Sequence, residues 1–589
     1  MVRKKRGGVR TAFIAGVPTA QILKGEVAVN RRKWFLNALV FVFILSSFLV
    51  GCSSKGKEGE GGKQSAAPSA SPQSSPKPSA EAGDGKLKKY DPPIEMSTVT
   101  FNYNYPKFDK GDDINNNPWS RYMLEQYGIK VNTLWDVADS QYEQKVNLMI
   151  ASRDIPDFFA VTPTQFKQLY DAKLIEDLTD SYNKYASDDI KKLINDAGAE
   201  VLESAKMKGR IMAIPWTGEA QVGVPILWIR EDWLTKLNLS GPQSMSDVLN
   251  IAKAFATQDP DGNQKDDTYG LALDKDFGQL TGFLNGYHAY QGIWMKDGSG
   301  GLTYSTLQPE MKKALGALQE MFKAKQIDPE FGVKDGNKVN ETIGANKLGM
   351  MFGSIGTAQV MQNVTPDTNW LPFPVPSIDG QKASMQHPLN IYSYYWVVKK
   401  GTKNPEAIYQ MIQAWIDLFY KNTSDEVYAK YNAVTGTGYW MNAPIKLYNT
   451  FNDVDAYRHI KPFLEKKDKT NEDLSKLTPM ERAWYKELLE YEKGDMKFRG
   501  RNGKAGLNSG AKVIDGYVQN NQYMPEAFTT VPTPAMVQKM PALKKMEYQM
   551  ISKIILGAPL EEFDTFVEQW KKLGGDEITK EVNEWYKNK

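Results

Sequence analysis

Cysteine and histidine are almost missing from this 589-residue chain, and each scarcity removes a class of chemistry. Cys52 is the only cysteine, so no disulfide within the chain and no cysteine-based metal cluster can form. The three histidines, His288, His387 and His459, are too scattered for a zinc site with the usual close spacing. A Ser-His-Asp triad needs one histidine only, but no G-x-S-x-G elbow accompanies any of them, and they read as structural residues. Net charge is scarce as well: 73 basic and 70 acidic side chains leave +3, which is no footprint of nucleic-acid binding. Long apolar runs are limited to Phe35–Val50, sixteen residues that include Asn37, Ser46 and Ser47. That is shorter than the ~20 residues a spanning helix needs.

The same run has the layout of a secretory signal: Arg31, Arg32 and Lys33 before it, and Leu49-Val50-Gly51-Cys52 after it. Cysteine behind a Leu-Val-Gly tripeptide resembles the lipobox of bacterial lipoproteins, which implies cleavage before Cys52 and a diacylglyceryl group on its thiol. Residues 1–51 are therefore read as a signal peptide. Its basic preamble is longer than signal peptides usually are. Lys24-Gly25-Glu26 is encodable by a purine-rich ribosome-binding stretch, so the true start is expected near Val29. Residues 52–90 follow as the lipidated N-terminus and linker. Between Ser53 and Tyr90 only Leu87 and Tyr90 are large and apolar, too little to bury a core. A coil of that length spans roughly 35 Å. The string GEGGKQS within it mimics a phosphate loop, but no strand precedes it and Gln64 follows the lysine.

What the chain has in excess is aromatic side chains: 14 Trp, 29 Tyr and 24 Phe. In a protein without disulfides many of these must fill the core. Those left in a cleft suit carbohydrate, whose C–H faces stack on aromatic rings. Residues 91–589 exceed what one core organises, since single cores stop growing near ~250–300 residues, so two lobes are expected. Strand-like runs alternate with amphipathic helices, the mark of an α/β fold. Ser97–Asn104 and Ile129–Leu134 read as strands and Pro118–Tyr127 as a helix. Tyr142, Val146, Met149 and Ile150 share a helical face ahead of a short strand over 155–161. Ser244-x-x-Asp247 predicts a capping box before the stripe Val248, Ile251, Ala252, Phe255. Near the end, Phe563, Phe566, Val567 and Trp570 line one helix and Ile578, Val582 and Trp585 another, with Gly574-Gly575 between.

Five segments in order carry a resemblance. They are Leu148–Asp157 (LMIASRDIPD), Lys208–Trp216 (KGRIMAIPW), Leu227–Leu234 (LWIREDWL), Asp259–Asn263 (DPDGN) and the closing Phe563–Tyr586. Together they resemble the extracellular solute-binding proteins of family 1, lipoprotein receptors of ABC sugar importers related to maltodextrin- and alginate-binding proteins. The first segment departs from that family at Arg153, where Gly is usual. The resemblance implies a two-lobed type II periplasmic-binding-protein fold, its lobes discontinuous in sequence and closing on a sugar. It also implies a monomeric receptor rather than an enzyme, partnered by an oligosaccharide and the permease subunits of an ABC transporter, on the outer face of the cell membrane.

Cleft candidates are residues in loops after strands or beside these motifs: Tyr103, Asn104 and Tyr105, Asp154, Trp216, Arg230, and the aromatic knot Tyr394, Tyr395, Trp396. Each aromatic has core packing as its alternative. Trp233, Trp570 and Trp585 lie on helical stripes and are assigned to the core. Arg153 is weighed as a contact for an acidic glycan against a plain surface arginine. The loop Asp259, Asp261, Asn263, Lys265, Asp267 places oxygen ligands at alternate positions, as calcium loops of the EF-hand type do, with Lys265 giving its carbonyl. It lacks the Gly at the sixth position, where Gln264 stands, and the Glu at the twelfth. Alginate-binding relatives carry a structural calcium in a similar loop, so calcium is expected against the alternative of a solvated turn. Two other function classes stay open on sequence: a secreted glycoside hydrolase, which needs two carboxylates across the scissile bond, and a surface sugar sensor.

Overall fold

The computed structural model describes residues 87–102, 108–432, 439–469 and 473–589. Strand β1 (Ile94–Asn102) runs parallel to β2 (Ile129–Ala138), with Ile94 opposite Ile129. Parallel neighbours need a crossover, and helix Pro118–Tyr122 supplies it. Asn117 caps that helix by accepting from the amides of Trp119 and Ser120. A wider helical turn over Met123–Tyr127 continues it, and left-handed Gly128 stops it. Helix Asp139–Ser152 then buries Tyr142, Val146 and Met149, the stripe read from sequence, and leads to β3 (Phe158–Val161).

No direct ladder joins β1 to β3 among the described residues. Asp157 bridges them instead, its carboxylate accepting from Ser97 N at 2.7 Å and Ser97 Oγ at 2.6 Å. The aspartate that ends the first recognised segment is thus a structural tie. After a helical stretch, β4 (Ile214–Thr217) lies near the end of the first long pass through this lobe.

A second sheet forms next. β5 (Ile226–Arg230) is buried along its whole length and stands between β6 (Met350–Gly353) and β7 (Trp370–Phe373), both antiparallel to it. Helix Met245–Thr257 covers it with Met245, Val248, Ile251, Ala252 and Phe255, and its predicted capping box is present. In that box Ser244 Oγ accepts from Asp247 N at 3.2 Å and the Asp247 carboxylate accepts from Ser244 N at 2.9 Å. The chain then returns as β8 (Ile391–Val398), which sits between β3 and β4 in the first sheet.

Two apolar cores result, as the length required. One gathers residues from Tyr90 to Trp216 and from Tyr395 to Leu447 together with Val531, and the other gathers residues from Val222 to Met385 and, apart from Val531, from Val454 to Val582. A smaller cluster around Trp484, Tyr485 and Leu488 packs the helices 452–464, 479–492 and 499–505. The closing helices bury Phe563, Phe566 and Trp570, then Ile578 and Val582, and the break between them falls at Gly574 (φ 134°). Among the described residues no helix is long and apolar enough to cross a membrane.

The chain passes between the cores three times, near residues 218–221, 388 and 449–450. These passes are laced together. Gly218 N donates to Asn390 O at 3.0 Å, Thr217 Oγ1 to Tyr448 O at 2.7 Å and Thr450 Oγ1 to Gly218 O at 3.0 Å. Asn390 Oδ1 also accepts from Gln221 N at 3.1 Å, and its Nδ2 donates to Ala197 O at 2.8 Å. Gly218 is required by close approach: a Cβ there would lie 2.7 Å from the Ile391 carbonyl carbon.

Arg153 caps the end of helix Asp139–Ser152 with φ 60°. Gly is the usual residue at such a left-handed cap because it carries no Cβ, which accounts for the departure noted in the sequence. Arg153→Gly is expected to stabilise the protein by about 1 kcal/mol, read from urea unfolding. A destabilised variant contradicts this account of the cap.

Candidate functional site

Two β-bulges shape the wall of the first lobe beside the crossovers. In the β1–β2 ladder Thr98 faces Thr133 but Thr100 faces Asp136, so β2 carries an extra residue there. In the β8–β4 ladder Ile391 faces Thr217 and Tyr395 faces Pro215, so Tyr392, Ser393 and Tyr394 together oppose Trp216. Ser393 takes φ 61° to make this possible. Bulges re-aim side chains and gather next to sites. Here they crowd aromatic rings onto one patch. Trp216 stacks on Trp396 at 4.8 Å and 22°, Tyr392 lies 5.3 Å from Trp216, and Tyr448 stands edge-on to Tyr392 at 5.2 Å. Phe101 at the end of β1 joins them, 4.8 Å from Tyr142 and 5.6 Å from Tyr394.

The void between these rings measures about 20 Å³, room for little more than a water. A ligand larger than a water can meet this wall only at its rim. Exposure decides which rings form that rim: Tyr392 is 36% exposed, whereas Trp216 is 3% and Trp396 4%.

A polar pair is set into the same wall. Lys446 is 7% exposed, donates to Ala443 O at 2.8 Å and places Nζ 5.7 Å from the Trp216 ring centroid. Burial pushes its pKa down to about 7, with the Asp136 carboxylate pulling the other way. Burial raises the Asp136 carboxyl, against the hydrogen bond from Asn102 Nδ2 at 2.5 Å and the charge of Lys446. Asp136 Oδ1 is buried with no partner among the described residues. An amine and a carboxyl set side by side in this wall can donate to and accept from the hydroxyls of a polar ligand.

At the first crossing Glu219 reaches water while protein rings it on most sides, and its carboxyl is pushed up to about 8 by burial and by Asp453, with Lys504 opposing. On the far side of the crossings the second lobe offers a groove of about 220 Å³ lined by Gly223, Thr281, Phe352, Ser354 and Gln386 among others. Polar groups on one side and rings on the other suit a ligand with apolar faces and hydroxyl edges.

The residues expected from sequence distribute unevenly over this site. Trp216 lines the wall as its floor, and Tyr394 is half-buried in the same cluster. Trp396 backs Trp216 and donates Nε1 to Lys446 O at 3.0 Å. Tyr395, one residue earlier on the strand, points to the opposite face and donates its hydroxyl to Ser204 Oγ at 2.9 Å inside the core. Arg230 is corrected by its place on β5. It lies four residues beyond Ile226, about 13 Å along the strand from the crossing end, where Asp232 and Asn346 bind its guanidinium and Trp233 packs against it at 4.3 Å. Asp154 is corrected likewise. Helix Asp139–Ser152 starts beside the wall, and Asp154 follows its far end, about 21 Å away at 1.5 Å per residue. Tyr103, Asn104 and Tyr105 lie outside the described residues. Asn102, Asp136, Tyr392, Lys446 and Tyr448, which also stand at this wall, escaped the sequence reading.

In the loop Asp259–Asp267, Asn263 Nδ2 donates to Asp261 at 2.7 Å and to Asp267 at 3.0 Å, while the Asp259 carboxylate accepts from the amides of Asn263 and Gln264. Lys347 reaches Asp267 at 3.2 Å. Among the described residues no group of His, Cys, Asp or Glu is gathered as a ready-made metal shell. Gln264, at the position where calcium loops of the EF-hand type turn sharply on Gly, has φ 63°. Partial burial and the nearby Asp259 and Asp267 carboxylates raise the Asp261 carboxyl, the crowding a divalent cation relieves.

Two lobes joined by three laced segments, with an aromatic wall and a polar groove flanking the joint, define a receptor of the hinged, ligand-enclosing class. Residues 113–426 match the bacterial extracellular solute-binding proteins, and the chain belongs to that family. It is 24% identical over 483 residues to the lipoprotein LipO of Bacillus subtilis, an alignment covering 79% of this chain and 88% of the relative. It is 21% identical to the polygalacturonan/rhamnogalacturonan-binding protein YtcQ of the same organism, over 94% of this chain and 99% of YtcQ. Among solved structures, the Streptococcus pneumoniae substrate-binding protein FusA in complex with kestose shares the fold at TM-score 0.57 and 16% identity, covering 84% of this chain and 99% of FusA. The alginate-binding protein AlgQ2 without calcium shares it at TM-score 0.55 and 18% identity, covering 85% and 99%.

The split between floor and rim is measurable. Trp216→Ala is expected to cost about 3–5 kcal/mol of stability, as a buried tryptophan does. Tyr392→Ala is expected to cost under about 1 kcal/mol while weakening sugar binding at least tenfold by titration calorimetry. A stable Trp216→Ala protein with lost affinity, beside an unaffected Tyr392→Ala, would move the stacking platform to Trp216.

Proposed function

We propose that this protein captures an oligosaccharide between its lobes and delivers it to the permease of an ABC importer. The observation that carries the reading is the aromatic wall with Asp136 and Lys446 set into it, placed beside the laced crossings. Rings of Tyr392, Tyr448 and Tyr394 take the apolar faces of sugar residues. Asn102, Asp136 and Lys446 take hydroxyls, and the Ser354–Gln386 groove closes from the other lobe. Relatives named for polygalacturonan, rhamnogalacturonan and fructooligosaccharide support a saccharide ligand. The same kinship supports binding without turnover, since no bond needs to break for delivery. Titration with oligogalacturonides, fructooligosaccharides and alginate oligomers is expected to give saturable binding for one class, with chain length unchanged by chromatography afterwards. Accumulating reducing ends would make the protein a hydrolase instead.

The lipid anchor at Cys52 belongs to the same proposal, supported by the lipobox-like Leu49–Cys52 and by the lipoprotein relative. Diacylation holds a protein at a membrane stably where one chain does not. Cell fractionation checks it: Cys52→Ala is expected to leave the membrane fraction or remain uncut.

We also propose a structural calcium in the loop of Asp259, Asp261, Asn263, Lys265 and Asp267, held by the side chains and the Lys265 carbonyl. Binding to the folded state alone stabilises it by about 2.7 kcal/mol at a hundredfold excess over Kd. Adding calcium to metal-stripped protein is expected to raise Tm, and Asp261→Ala to remove that rise. A Tm indifferent to calcium and chelator contradicts the site.

A further inference from the structure

A second cavity, of about 210 Å³, lies wholly within the second lobe and shares no lining residue with the aromatic wall. It opens where helices Thr357–Val364 and Arg499–Ala505 pack beside the edge strand β7. Met361, Trp370 and Pro372 give it an apolar side, and Asn369, Asn502 and Arg499 a polar one. Arg499 is the unusual member. Its side chain is only 9% exposed, and its Nε and Nη1 are buried with no hydrogen-bond partner among the described residues. Glu231, the acidic residue on the lining, pairs with Asn369 Nδ2 at 2.9 Å rather than with Arg499. The neighbouring basic residues are satisfied differently: Arg501 binds Glu487 at 2.5 Å and Lys504 binds Asp453 at 2.7 Å.

A buried guanidinium without a counter-charge is strongly unfavourable, and arginine is the side chain best matched to planar or tetrahedral oxyanions. Fixing it at the wall of a cavity makes sense when an anion completes it. We propose that this cavity is a second ligand site, separate from the sugar cleft, for a small oxyanion-bearing molecule of about monosaccharide size. Arg499 holds the carboxylate or phosphate, Asn502 and Asn369 meet polar edges of the ligand, and Trp370 and Pro372 cover its apolar face.

The test is thermal unfolding of the full chain in anion-poor buffer, with galacturonate, inorganic phosphate or neutral galactose added at millimolar concentration. Wild-type Tm is expected to rise by several degrees with galacturonate or phosphate and to stay fixed with galactose. A response to one of the two anions assigns carboxylate or phosphate as the group bound. Arg499→Met is expected to melt higher than wild type without anion, because the unpaired charge is gone, and to lose the anion response. Arg499→Gln repeats the comparison with a polar side chain. Tyr392→Ala, altered in the cleft only, is expected to keep the response. The proposal is overturned if no anion shifts wild-type Tm, if the shift survives in both Arg499 variants, or if Tyr392→Ala abolishes it.

Discussion

Everything this receptor does depends on three connecting segments that cross between its lobes at one place and are bonded to each other there. The Thr217–Gly218 segment bonds to Asn390 and to the Tyr448–Thr450 segment, both more than 150 residues further along the chain, through hydrogen bonds of 2.7–3.0 Å. A single connection would let the lobes tumble. Three laced connections restrict them to bending about one axis, the geometry of hinge closure. The close approach at Gly218 leaves no space for a side chain, so the crossings cannot be spread without breaking the lacing.

The proposed recognition surface grows from that joint. β4 and β8 lead directly into the crossings, and the bulge between them sets three residues against Trp216. Regular pairing would alternate Tyr392 and Tyr394 with Ser393 across the two faces of the sheet. Both tyrosines fall on one face in that pattern, and the bulge with the left-handed Ser393 gathers them against Trp216. Lys446 and Asp136 sit in the same wall, each driven toward its neutral form by burial and toward its charged form by the other. Such a pair is costly to keep in a core, and its position at a ligand-facing wall gives it a use.

How much of this was legible in the sequence follows from the range of the forces involved. Elements set by local periodicity and caps were legible. The Tyr142 stripe, the Ser244 capping box and the closing helices around Gly574 all stand where the pattern put them. Two cores followed from length alone. The site was legible only in outline. Trp216 and the 394–396 knot were found because aromatics beside a strand end are visible in one dimension. Alternation separates Tyr395 from Tyr394 and Trp396, but which of the two faces meets the core depends on strands paired from distant parts of the chain, which leave no local signature. Asp154 and Arg230 were misplaced for a related reason: a family motif marks a conserved turn, and whether that turn lies at the near or far end of its helix or strand depends on the direction the element runs. Arg153, weighed as a contact for an acidic glycan against a plain surface arginine, is exposed and caps a helix, and its backbone conformation explains why glycine is usual there.

The central claim, that the lobes close about the laced crossings on a saccharide held by the aromatic wall, is tested most directly by small-angle scattering. Scattering is recorded with and without a saturating amount of the oligosaccharide that calorimetry selects. The account predicts a smaller radius of gyration on binding in the wild type and no change in Tyr392→Ala at the same concentration. An unchanged radius in wild type at proven saturation would contradict it.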